Sequence, residues 1–155
     1  MKSARFLPLW TAVLALSALQ CTSTTGPSGL PFDTLSYSRE GGLIGGLVFQ
    51  VDITSIGMVT VKRSSGLKLG RITSQERDSL IVISQGYTQW ADSAQIGGCA
   101  DCFFHHFTIS GSGGTKAVLY DDAGLSGPGP DAPAVRRLVD VLGSIAARLS
   151  PQTIE

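Results

Sequence analysis

Leu47-Val48-Phe49-Gln50-Val51-Asp52-Ile53 and, after a connection from Thr54 to Gly57, Met58-Val59-Thr60-Val61-Lys62-Arg63 form the stretch whose pattern settles the fold class. Apolar and polar residues alternate in both arms, the period of a strand with one buried face. Leu47, Phe49, Val51 and Ile53 share one side of the first arm, and Val59 and Val61 join them from the second. The spacing predicts an antiparallel hairpin around residues 54–57. Upstream, Leu35-Ser36-Tyr37-Ser38-Arg39 shows the same period before Glu40-Gly41-Gly42-Leu43-Ile44-Gly45-Gly46 breaks it.

Downstream, Thr73-Ser74-Gln75-Glu76 is a capping box, in which the Thr73 hydroxyl accepts from the Glu76 amide and the Glu76 carboxylate reaches back. It predicts a helix over residues 74–84, although Leu80-Ile81-Val82-Ile83 alone would suit a strand. Residues 87–98 read as irregular, pinned by Trp90 and Ile96. Residues 102–110 read as a strand, 111–114 as a turn and 115–120 as the partner strand. A Gly/Pro/Asp loop over 121–133 leads to a helix with Asp131 as N-cap and Pro133 in its first turn. There Val135, Leu138, Val139, Leu142, Ile145, Ala146 and Leu149 recur at helical spacing, opposite Arg136, Arg137, Asp140 and Arg148. The expected architecture is α+β: a four-stranded antiparallel sheet of two hairpins, with two helices packed on one face. One domain over residues 32–150 accounts for these elements.

The chain has 155 residues, 43 % of them apolar, and its 12 Lys+Arg balance 12 Asp+Glu. A zero formal charge argues against nucleic acid as a partner, because such domains carry a basic surplus. Low charge with ample apolar residues also argues against disorder. Lys2 and Arg5 precede an apolar run over residues 6–19, the layout of an export signal over residues 1–20. Ser17-Ala18-Leu19-Gln20-Cys21 resembles the bacterial lipobox, in which the cysteine becomes the acylated first residue. Cys21 is therefore the expected lipidation site, with residues 21–31 as a polar tether. The protein would then be held in the bacterial cell envelope by lipid.

Cys99-Ala100-Asp101-Cys102, followed by Phe103-Phe104-His105-His106, admits three readings. Zinc needs four tetrahedral ligands, and two adjacent histidines on a strand point to opposite faces. Redox chemistry places its first cysteine at a helix N-terminus, whereas this motif runs into a strand. A small-loop disulfide between Cys99 and Cys102 is the expectation for an exported pair. His105, on a face with Phe103, Phe107 and Ile109, reads as a half-buried packing residue, and His106 as exposed. Asp121-Asp122 reads as a solvated turn. No GxSxG elbow occurs, and the glycine run lacks the Lys-Ser/Thr of a phosphate loop. The residues thus predict no catalytic site, no metal and no cofactor.

The glycine run is the most unusual feature. Either Leu43 and Ile44 fold back onto the core from a wide loop, or Gly41 and Gly42 lift them as an apolar bait for a partner's pocket.

Tyr37-Ser38-Arg39-Glu40-Gly41-Gly42 with Gly45, a hairpin, Gly70-Arg71-Ile72-Thr73 opening a helix, Ala100-Asp101-Cys102-Phe103 starting a strand, and a Leu/Val-rich last helix together resemble the emfourin family. Its members are small bacterial protein inhibitors of protealysin, a thermolysin-like zinc metalloprotease. The resemblance spans residues 35–149 and implies an α+β binding domain without enzymatic activity. Its implied partner is a metalloprotease, with another envelope protein as the alternative. The 87–98 stretch with its cysteine pair and the export signal depart from the family pattern.

Overall fold

The computed structural model describes residues 29–42, 45–94 and 101–150. Strands β1 (Thr34–Gly41), β2 (Leu47–Thr54), β3 (Met58–Arg63) and β4 (Gly66–Arg71) precede helix α1 (Ser74–Ile83). A single 3₁₀ turn, Tyr87–Gln89, leads to the two-residue strand β5 (Ser93–Ala94). Strands β6 (Phe103–Gly111) and β7 (Gly114–Asp121) and helices α2 (Asp122–Ser126) and α3 (Ala132–Arg148) complete the chain. The sheet order is β4-β3-β2-β1-β6-β7-β5.

The sheet is therefore larger than the expected four strands. Six strands pair antiparallel, and β5 adds a short parallel edge beside β7. The two predicted hairpins are present, and β1 joins them by pairing with both β2 and β6. The additions the pattern did not announce are β4 and the two-residue β5, which falls in the stretch read as irregular.

Register places the side chains in continuous rows. Val61, Val51, Tyr37, Phe107 and Val118 stand opposite one another, as do Val59, Ile53, Leu35 and Ile109. All nine are buried, so one side of the sheet is apolar across five strands. The reverse side carries Lys62, Gln50, Ser38 and His106 in one row and Thr60, Asp52, Ser36 and Thr108 in the next. That alternation is the two-residue period of the strands expressed in space. Ser36 donates to Asp52 at 2.6 Å, and Gln50 donates to the same carboxylate.

Leu80 and Ile83 of α1, and Val135, Leu138, Leu142 and Ile145 of α3, belong to one core with the buried rows. The capping box of α1 is present: Glu76 N donates to Thr73 Oγ1 at 3.2 Å and Thr73 N to Glu76 Oε2 at 2.7 Å. Arg148 at the end of α3 also donates to Glu76, at 2.8 Å. Asp131 stands at the N-cap of α3, but its side chain makes no capping bond. Its carboxylate accepts instead from the Ala91 amide at 2.8 Å, fastening the irregular stretch to the helix start. Trp90 is buried as expected, whereas Ile96 lies outside the described residues. Leu30, near the end of the expected tether, is buried in the core. No helix among the described residues is long and apolar enough to cross a membrane.

Candidate functional site

The β1–β2 corner is built on glycine. Gly41, Gly42, Gly45 and Gly46 have φ of +103°, +81°, +67° and +91°, a region that L side chains rarely enter. Gly41 N donates to Gly46 O at 2.9 Å and Gly45 N to Gly42 O at 3.0 Å, which closes the corner. Gly42 N donates to Cys102 O at 3.2 Å, tying the corner to the start of β6. A Cβ on Gly41 would lie 2.6 Å from Cys102 O, and one on Gly42 3.1 Å from the Phe103 ring. A Cβ on Gly45 or Gly46 would meet nothing within 4 Å among the described residues, so there their backbone torsions are what call for glycine.

A chain of polar side chains braces the same end of the sheet. Tyr37 Oη lies 2.9 Å from His105 Nδ1, and His105 Nε2 lies 3.0 Å from Asp122 Oδ1. The other Asp122 oxygen accepts from the Phe103 amide at 3.0 Å. Burial pushes the Tyr37 hydroxyl well above the usual phenol range, so it stays protonated and donates. Burial likewise lowers the His105 pKa, against an opposing pull from the Asp122 carboxylate. The imidazole is thus neutral, accepting at Nδ1 from Tyr37 and donating from Nε2 to Asp122, a tautomer fixed by the network. For Asp122 burial is the largest influence and acts upward, but the Phe103 amide and His105 together outweigh it and the pKa falls.

Two expectations change here. His105 is buried rather than half-buried and is hydrogen-bonded at both ring nitrogens, because its ring stacks on Tyr37 and stands in register between Arg39 and the buried Tyr120. The Asp121-Asp122 pair is no solvated turn. Asp121 caps α2 by accepting from Gly124 N at 2.6 Å, and Asp122 anchors His105 and β6. His106 is exposed, as its strand phase predicts. In chemical terms the chain ends on a phenol with no exposure, so Tyr37 cannot present its oxygen to a substrate. Its work is to fix β6 against β1 and α2.

That brace gives stability a pH dependence with a definite sign. The folded-state pKa of His105 lies below its unfolded value of 6.5, so its contribution is complete above 6.5. As pH falls below 6.5 the unfolded chain takes up a proton that the folded chain resists, and stability drops by up to about 1.4 kcal/mol per pH unit. Denaturation midpoints should be lower at pH 5 than at pH 7, and His105→Gln should remove most of that slope. A slope unchanged by the substitution would contradict this account.

Of the residues singled out in the sequence, Gly41 and Gly42 fall at the corner and Cys102 beside it. Cys102 is buried and disulfide-bonded, while Cys99, its expected partner, lies outside the described residues. Leu43, Ile44 and Cys21 also lie outside them. Among the described residues, no three His, Cys, Asp or Glu side chains gather as metal ligands. Sequence reasoning missed Asp122 and Arg39. Arg39 lies with its guanidinium carbon 3.7 Å from the centre of the Phe103 ring, a cation–π contact that strand phase alone does not announce. No family model, curated protein or solved structure matches this chain.

Proposed function

We infer that the chain is a binding protein of the bacterial cell envelope, anchored by lipid on Cys21, that inhibits a thermolysin-like metalloprotease as emfourins do. In this reading α1 and α3 are laid over the apolar face of the sheet, leaving the glycine corner free to meet a partner. The observation that carries it is the corner itself: four left-handed glycines, closed by two backbone hydrogen bonds and tied by a third to β6. Such a base holds Gly42 and Gly45, the residues that bracket Leu43 and Ile44 in the sequence, and preorganisation of this kind reduces the entropy lost on binding. Leu43 and Ile44 are the large aliphatics that a hydrophobic protease subsite accepts. The Tyr37–His105–Asp122 brace beneath the corner adds rigidity to the same end.

Titrating the full chain, solubilised in detergent, against thermolysin tests the reading. Stoichiometric loss of peptidase activity is expected. The double substitution Leu43→Ala/Ile44→Ala should weaken inhibition on the order of 100-fold or more, as for truncated interface anchors, with the melting temperature nearly unchanged. A folded double mutant that inhibits fully would overturn the role of the corner. A wild-type chain that leaves the protease active in tenfold excess would overturn the protease and leave another envelope protein as partner.

A further inference from the structure

A cleft of about 570 Å³ opens between α3 and the same end of the sheet. Its walls include Tyr37, Val48 and Phe49 from the strands and Val139, Gly143 and Ala147 from the helix. Two arginines, Arg39 and Arg63, also line it. The Nε atom of each is buried with no hydrogen-bond partner among the described residues. A buried donor left unmatched is unfavourable, the more so when charged, so two beside one cleft call for an acceptor.

Both guanidinium groups are held in place by their other contacts. Arg39 lies over the Phe103 ring. Arg63 lies 5.2 Å from the centre of the Phe49 ring and donates through Nη2 to Ala146 O at 3.3 Å, in the last turn of α3. Phe49 stands directly opposite Arg39 in the β1–β2 register, so the ring that Arg63 approaches belongs to the strand neighbour of Arg39. Stacking on aromatic faces leaves the edge N–H groups free for a planar acceptor.

We propose that this cleft binds a monoanionic carboxylate carrying a small apolar body. The charge balance favours one negative charge: two guanidinium groups face one carboxylate, that of Asp140, which also lines the cleft and opposes a dianion such as phosphate. Rings and aliphatic side chains supply the apolar walls. The helix keeps the space open through Gly143, where an added Cβ would meet nothing within 4 Å among the described residues. Glycine inside a helix is less favourable than alanine, and no packing contact with the described residues requires it at position 143. The inference uses none of the residues proposed to contact a protease.

The test is a ligand-detected NMR titration of the full chain in detergent with isovalerate, its neutral amide isovaleramide, and inorganic phosphate. Isovalerate is expected to bind at least tenfold more tightly than either of the others. Arg39→Gln and Arg63→Gln should each weaken it by about tenfold or more, the loss of one charge-assisted hydrogen bond. Gly143→Leu keeps both arginines and improves helix propensity while filling the cleft, so it should abolish binding in a chain that still folds. No isovalerate binding, equal binding of the amide, tighter binding of phosphate, or undiminished binding by Gly143→Leu would each overturn the proposal.

Discussion

Alanine in place of Gly41 is expected to lower the unfolding free energy by about 2–4 kcal/mol, combining left-handed backbone strain with a steric collision. Its φ of +103° lies where an L residue is strained in any surroundings. The new methyl would also stand 2.6 Å from the Cys102 carbonyl oxygen, a backbone atom that cannot rotate aside. Relief means parting β1 from β6 near the Gly41–Phe103 pair. Gly45→Ala separates the two causes, because Gly45 shares the positive φ but an added Cβ would meet nothing within 4 Å among the described residues. Its cost should be about 1–2 kcal/mol, that of the torsion alone. Urea midpoints measure both variants, and equal losses would show that the collision contributes nothing.

Leu142→Ala is the second large effect. Leu142 has no exposure and sits in the α3 stripe within the common core. Truncation loses its transfer free energy and leaves a cavity, together about 2–5 kcal/mol. For a domain of this size that corresponds to a fall in melting temperature on the order of 10 °C. Val82→Ala, on the exposed side of α1 at 64 % exposure, should stay within about 0.5 kcal/mol. A Leu142→Ala variant melting within two or three degrees of the parent, roughly what 1 kcal/mol would move, would mean that α3 is not seated in that core.

The parts of the fold legible in the sequence are those where one residue type repeats at one period. Residues 47–63 alternate cleanly because one face is buried, and α3 shows its stripe for the same reason. Strand β4 escaped notice because its pattern is inverted. Leu67 and Leu69 stand opposite Lys62 and Thr60 on the polar side and are exposed, while Gly70 faces Leu149. An edge strand can carry such a pattern, since pairing with β3 rather than burial holds it. The capping box decided α1 correctly against its β-branched run. Asp131 misled because its carboxylate is engaged by Ala91, from 40 positions earlier in the chain. The Tyr37–His105–Asp122 chain was illegible for the same reason. Each residue has an ordinary local reading, and only the pairing of β1 with β6 brings the first two together.

That pairing also governs how the sheet assembles. Every other antiparallel contact joins strands adjacent in the sequence, so two ribbons, β1–β4 and β6–β7, can each zip from a local turn. Their union brings Leu35 to Ile109 across most of the domain, and the search for that meeting is the slow event expected of non-local topology. Because closure entropy grows only logarithmically, doubling the intervening span would add only about 0.6 kcal/mol. The span between the ribbons can therefore lengthen at little thermodynamic cost, provided that the two seam strands keep their register.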